Sequence, residues 1–504
     1  MAQHQNHDRL SRTDSIFLYL ESENIPLHIA GMSTLEGIVS FEDCLRFVES
    51  KIPLIPRYRQ KVVAPVYNIG RPVWEFDPDF DVRNHIREVT LKRGTDSEYK
   101  ALAGRILSKA LPRHKPLWEI VLVRGLRGNR TGFLTRVHHC LADGVSGVEL
   151  MNVILGSKPS PPPPPGKKLK FPAPPPRDPW GSVVEDLVNS VGGFIEQALT
   201  TQGEMLKFAE RFLKGNGGSN TANGNPRLLV EMATLAERLC FNNTVHGPQQ
   251  VAWVEIPLAD LKAVKEACAC SINDVVLMLV TAAIRRYALQ RGDDVKRKLL
   301  KIMVPVNLRD HNGRGELGNQ ISLIPVTVPL DIENPRKLVA AVHETTEFLK
   351  RSSVAELVTF AGALIGILPT AFQAVVGPAA TQLPITPFNL VCTNVPGPQF
   401  PLYLMEHKML TWYPYVPIGG DMALNVAVLS YNGMVYFGFS GDVNVAPGLV
   451  QLEKFIATSM RELQAAVGKQ SRKKIVREKA KAVTARVESV PSVVAEKVAA
   501  EKVV

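Results

Sequence analysis

Between Ser157 and Gly181 the chain reads SKPSPPPPPGKKLKFPAPPPRDPWG, and this stretch constrains the fold more than any other. Proline has no N–H to donate and its ring fixes φ at about −65°, so a run this dense enters neither a helix interior nor a central strand. The stretch is a linker, and the sequence divides around it. In polyproline II form, at about 3.1 Å per residue, some twenty residues reach roughly 60 Å, enough to cross one face of a domain. The two halves can then pack side by side. Helical apolar spacing in SVVEDLVNSVGGFIEQALTTQGEMLKFAERFLKG extends the crossover, and NGGSNTANGNP closes it. The expected division is residues 1–156, a crossover at 157–227, a second half at 228–467 and a tail at 468–504.

A chain of 504 residues, 45% hydrophobic and 21% charged, has enough apolar material for two such halves. The polar start MAQHQNHDRLSR lacks the apolar core of an export signal, which predicts a cytoplasmic protein. Six cysteines are scattered without CxxC spacing, so reduced thiols are expected and a metal clip is not. The net charge of +11 is uneven: from Lys469 to Val504 there are ten basic and four acidic residues. That tail has no aromatic residues for stacking on bases, and no nucleic-acid motif occurs elsewhere, which argues against a nucleic-acid partner. It reads as a solvated extension or as a segment attracted to anionic lipid. From Leu357 to Met405 there is no charged residue and no histidine. Pro369 interrupts the apolar run, so a buried wall or a surface dipping into lipid fits better than a membrane span.

Before the linker, WEIVLVRGLRGNRTGFLTRVHH reads as a hairpin whose second strand covers about Gly132 to His138, and VSGVELMNVIL after Gly144 has helical spacing. The pair His138 and His139 lies where a strand leaves the sheet and a helix begins. Successive strand side chains point to opposite faces, so the two imidazoles cannot share one cavity. One can be buried support while the other, with an ordinary pKa of about 6.5, accepts a proton in a cleft. Asp143 could orient an imidazole, hold the loop through an arginine or simply cap the helix, and Gly144 allows a tight turn. Taken alone, the same residues also fit a polar capping turn, and less well a zinc site, for which no further ligand adjoins.

The heptapeptide HHCLADG matches HHxxxDG, the active-site motif of the coenzyme A-dependent acyltransferase superfamily. Around it stand LSRTDSIFLYLESENIPLHIAGM near the start, PLWE at Pro116–Glu119, NDVVL at Asn273–Leu277, GELGNQIS at Gly315–Ser322 and TNVPGP at Thr393–Pro398. In this order they resemble the bifunctional wax ester synthase/diacylglycerol acyltransferase family, from about Leu10 to Val467. The resemblance implies an α/β (α+β) fold of two chloramphenicol-acetyltransferase-like subdomains, mixed sheets flanked by helices, with the active site at their interface. It implies acyl transfer from acyl-CoA, as co-substrate, to diacylglycerol or a long-chain alcohol, without a further cofactor or a metal. It makes His139 the base, His138, Asp143 and Gly144 its support, and Asn273 a donor to the oxyanion. Asn273 or Asp274 could instead be a helix N-cap. Trp118 and Glu119 are expected to shape the fold, and NVPGP to form a turn lining the cleft. Two features depart from the family pattern: Thr393 stands where the family commonly has Ser, and the Pro-rich linker is long; the DFGWG motif of plant acyltransferases that share HHxxxDG is missing, which counts against that branch. A condensation-type enzyme using carrier-bound acyl groups, or an inactive lipid-binding protein on a membrane or lipid-droplet surface, are the rival readings.

Overall fold

The computed structural model describes residues 9–64, 71–164, 234–307, 321–351 and 386–468. Residues 165–227 of the crossover, 315–320 of GELGNQIS, 357–385 of the uncharged stretch and 469–504 of the tail lie outside them.

The first half opens with helix α1 (Arg12–Leu20), whose Ser11 cap accepts the Asp14 N–H at 3.0 Å. Strand β1 (His28–Glu36), helix α2 (Phe41–Lys51), a small hairpin of β2 (Gln60–Val63) and β3 (Val73–Phe76), and strand β4 (Ile86–Thr90) follow. Helix α3 (Asp96–Leu107) starts at Thr95, where Glu98 gathers the N–H groups of Lys92, Arg93 and Gly94 at 2.7–2.9 Å. The hairpin expected from the alternating apolar pattern is β5 (Trp118–Leu126) and β6 (Arg130–His138), and the helix expected after it is α4 (Gly144–Ile154).

The second half runs through β7 (Gln249–Pro257), α5 (Leu258–Cys268), α6 (Ile272–Gln290), β8 (Leu299–Asn307), β9 (Ile321–Pro329), α7 (Pro335–Arg351), β10 (Leu390–Pro396), β11 (Tyr403–Leu404), β12 (His407–Tyr415), β13 (Leu424–Tyr431) and β14 (Met434–Asp442), and a helix at 451–468 closes it. Helix α6 is apolar on most of its circumference, and Val275 through Thr281 are all buried, as a helix sandwiched between a sheet and other helices must be.

Two six-stranded mixed sheets result, in the orders β11-β12-β1-β6-β5-β4 and β7-β14-β13-β10-β8-β9. This is the α/β, two-sheet architecture the resemblance implies. The sheets do not follow the linear division of the chain, because β11 and β12 come from the second half yet join the first sheet, β12 pairing with β1 from Ala30↔Tyr415 onward. Antiparallel pairing satisfies the otherwise bare edge of β1 and ties the halves through backbone hydrogen bonds. Each sheet backs its own apolar core. Phe133, Leu134 and Trp118 sit in one; Phe437, Ile302 and Tyr287 sit in the other. Each such side chain withdrawn from water contributes on the order of 1.5–3 kcal/mol.

Candidate active site

Strand β6 delivers the histidine pair, and the turn after it holds them apart. His138 ends the strand fully buried, while His139 is half-buried at the start of the turn and lines a cavity. The turn is anchored by apolar side chains, since Cys140, Leu141 and Ala142 are all buried. Its backbone is pinned on both sides: His138 N–H donates to Leu117 at 3.0 Å, His139 N–H to Leu27 at 2.9 Å, and Leu141 N–H to His138 at 2.9 Å.

Asp143 is the N-cap of α4. Its Oδ1 accepts the Ser146 N–H at 2.7 Å, meeting one of the donors that a helix start leaves unpaired. Gly144 is not in the left-handed region, so the expected backbone freedom is not what the position uses. A Cβ there would lie 3.0 Å from Val395 Cγ2, a side chain of the second sheet. The missing side chain provides clearance between the halves. Gly147, one turn on, stands under Ile29 in the same way, where a Cβ would meet Cδ1 at 2.9 Å.

His139 stacks on Phe17 of α1, ring centroids 4.0 Å apart and planes within 8°. Phe17 thereby fixes one face of the imidazole. His138 turns the other way. Its Nδ1 accepts the Cys140 N–H at 3.1 Å, and its Nε2 faces Glu21 Oε1 at 3.3 Å. Glu21 sits at the end of α1 and accepts Leu27 N–H on Oε1 at 3.1 Å and Arg113 Nη2 on Oε2 at 3.0 Å. Burial opposes its ionisation, but the His138 contact, the Leu27 N–H and Arg113 outweigh this and bring its pKa down to about 2.

The cavity has a volume of about 710 Å³ and is lined from both halves. Phe17, Thr135, His139, Val148 and Met151 come from the first; Met303, Asn394, Val395, Asn425 and Leu429 come from the second. It is mostly apolar with a few polar groups, the character of a site for a long hydrocarbon chain with one reacting end. Trp118 and Glu119 also line the cavity, and both are tied into the fold around it. Trp118 donates Nε1–H to Tyr58 at 2.8 Å and is stacked between Tyr58 and His85, while Glu119 pairs with Arg136 and Arg87, each at 2.8 Å.

Asn273 occupies the first turn of α6 but is not the cap: Ser271 is, and Asp274 completes a capping box with it. Asp274 is also held by Thr346 at 2.6 Å and His343 at 2.8 Å. Asn273 Oδ1 accepts Asn394 Nδ2–H at 3.3 Å, and Asn394 lines the cavity. The geometry thus gathers His138, His139, Asp143 and Gly144 in one turn at the cavity, and links Asn273 to it through Asn394. TNVPGP is not wholly a turn, for Thr393–Pro396 continue β10 alongside β13 before the chain bends. Sequence reasoning missed Phe17 and Glu21, which lie four residues apart within a quoted segment; Asn394 belongs to NVPGP, expected to line the cleft, and it lines the cavity.

Comparison with known proteins agrees with this geometry. The model of the wax ester synthase/diacylglycerol acyltransferase catalytic domain matches residues 10–276, and that of the WS/DGAT C-terminal domain matches residues 317–464. A probable diacylglycerol O-acyltransferase, tgs1, of Mycobacterium tuberculosis is 28% identical over 473 residues, covering 91% of this chain and 96% of that one. The structure of a wax ester synthase/diacylglycerol acyltransferase from Marinobacter aquaeolei VT8 superposes with a TM-score of 0.63 at 25% identity, covering 91% of this chain and all of the other. The starter condensation domain of rhizomide synthetase shares the fold at 13% identity, with a TM-score of 0.52 over 91% of this chain and 95% of its own. The chain belongs to the wax ester synthase/diacylglycerol acyltransferase family.

Proposed function

We propose that the protein transfers a long-chain fatty acyl group from acyl-CoA to the hydroxyl of diacylglycerol or of a long-chain alcohol, with His139 as general base. The observation that carries this reading is His139 itself, which stands at the start of an HHxxxDG turn and faces an apolar cavity shared by both halves. Its imidazole takes the hydroxyl proton as the oxygen attacks the thioester carbonyl. The tetrahedral intermediate collapses, the C–S bond breaks, and the proton passes from His139 to the departing CoA thiolate. No enzyme-bound acyl group is formed. Asn273 is the proposed oxyanion donor: its carbonyl oxygen is occupied by Asn394, which leaves its amide N–H to donate. Loss of one such donor typically raises the barrier by about 2.7–4 kcal/mol. Incubation with radiolabelled palmitoyl-CoA and either diolein or hexadecanol, followed by thin-layer separation, should yield labelled triacylglycerol or wax ester. Absence of both products from folded protein, with product from a carrier-bound acyl donor, would replace this reading by the condensation-type one.

Both substrates are hydrophobic, which supports work at a cytoplasmic membrane or lipid-droplet surface. Among the described residues no single helix is long and apolar enough to cross a membrane, and α5 with α6 qualifies only as a pair bent by 101°. Peripheral association through the uncharged 357–405 stretch and the basic tail is the arrangement proposed. Each basic residue near an anionic surface contributes about 1 kcal/mol, and salt weakens that attraction. A chain truncated after Gly468 should float less with anionic vesicles at low salt while keeping its turnover of dispersed substrate. Equal flotation of both forms would remove the tail from the account.

A further inference from the structure

Phe17 lies in the last turn of α1 and Glu21 is its C-cap, four residues on, and each meets one member of the histidine pair. Phe17 covers the His139 ring, and Glu21 faces His138 Nε2 at 3.3 Å. Spacing of four residues puts both side chains on one face of the helix. We infer that the last turn of α1 is a bracket for the catalytic turn, and that Glu21 is a positioning residue which fixes the tautomer and orientation of His138.

His138 Nδ1 accepts the Cys140 N–H, so the neutral ring carries its proton on Nε2. That proton lies on the side where Glu21 Oε1 stands, 3.3 Å away without a formed hydrogen bond, so the contact is electrostatic, and the Glu21 and His138 side chains are 4% and 0% exposed. A carboxylate there favours the Nε2–H form; the other tautomer would bring an Nδ1–H against the Cys140 N–H and a lone pair against Oε1. Loss of the correct tautomer therefore breaks the Cys140 contact inside the turn that carries His139.

A second path runs through the backbone. Glu21 Oε1 also accepts Leu27 N–H, and the Leu27 carbonyl accepts the N–H of His139. One carboxylate thus stands against the His138 side chain and, through Leu27, anchors the His139 main chain. Arg113, hydrogen-bonded to Glu21 Oε2 through Nη2 and to the Leu18 carbonyl at 2.7 Å, keeps the carboxylate ionised and ties it to α1. Leu18 and Leu10 are buried, so α1 is itself fastened to the core rather than free to swing.

This inference rests on His139 as the base, and its test separates the two claims. In [15N]histidine-labelled wild-type protein, the His138 signals, assigned by comparison with His138→Asn, should report the Nε2–H tautomer. Glu21→Gln should give a mixed or inverted tautomer and lower kcat by roughly 10- to 100-fold, less than direct loss of a triad-type orienting carboxylate, with KM for acyl-CoA within about two-fold. Glu21→Asp should recover part of the loss. Because the glutamine amide also turns an N–H toward Arg113, Glu21→Gln is repeated with Arg113→Met, which removes that clash if the single variant does not fold. A wild-type Nδ1–H tautomer, or a folded Glu21→Gln enzyme with unchanged kcat and tautomer, would overturn the bracket. Retained turnover in folded His139→Ala would instead overturn the general-base reading and leave the tautomer result standing.

Discussion

His85 and His139 sit in the same half of the molecule, the first buried in its core and the second facing the cavity. His85 is buried against Trp118, ring centroids 4.4 Å apart, and donates Nδ1–H to the Trp118 carbonyl at 3.0 Å. Burial, only partly offset by that hydrogen bond, pushes its pKa down to about 4. In the unfolded chain it charges near 6.5, so as pH falls the unfolded state takes up the proton first. The stability this residue contributes is therefore full above about pH 6.5 and is lost as pH falls toward 4. His85→Phe keeps the ring stack and loses the hydrogen bond. It should cost about 1 kcal/mol at neutral pH and lose less than wild type between pH 7 and pH 4.5, as read by urea denaturation at the two values. Parallel losses would contradict a neutral buried His85. Asp143 tests the other local device. Asp143→Ala should cost about 1 kcal/mol through the lost cap and lower turnover, whereas Asp143→Asn, equally good as a cap, should restore most of the stability. A normal melting temperature with a large rate loss in Asp143→Asn would show that its charge serves the reaction beyond capping.

At the scale of elements, what was legible followed from local rules. The β5–β6 hairpin and α4 could be read because alternation and turn residues act within ten residues, and the HHxxxDG turn lies inside that span. The capping of α6 was half-read: Asn273 and Asp274 were the candidates, but Ser271 three residues before an acid makes the box. The placement of β11 and β12 was not legible. Which sheet edge a strand joins is decided by pairing across hundreds of residues, and β12 meets β1 from 377 positions away at the Thr34–Thr411 contact. The same is true of Glu21, whose partner His138 is adjacent only because β1 and α1 fold back over β6. β12 also packs tightly on β14. A Cβ at Gly438 would lie 1.8 Å from the Pro414 carbonyl oxygen, a backbone atom that cannot rotate away. Gly438→Ala should therefore destabilise by at least the 1–3 kcal/mol (about) typical of overpacking, measured by urea denaturation. A neutral outcome would mean that the two strands are not in this contact.

At the scale of the molecule, the two halves are joined by side chains as well as by strand pairing. Tyr413 Oη–H donates to Glu255 at 2.6 Å, Lys100 pairs with Glu453, Tyr415 donates to Gln249, and Trp253 stacks on Tyr413 at 4.9 Å. With the strand exchange, these contacts tie together the two halves that line the cavity. In the proposed reaction an acyl chain and an acceptor hydroxyl meet at His139 inside this largely apolar cavity. The measurement that tests this most directly is turnover of His139→Ala with palmitoyl-CoA and diolein or hexadecanol, on protein whose melting temperature matches wild type. Removing a general base should lower kcat by roughly 10²–10⁴-fold. Near-normal turnover by the folded variant would contradict the account.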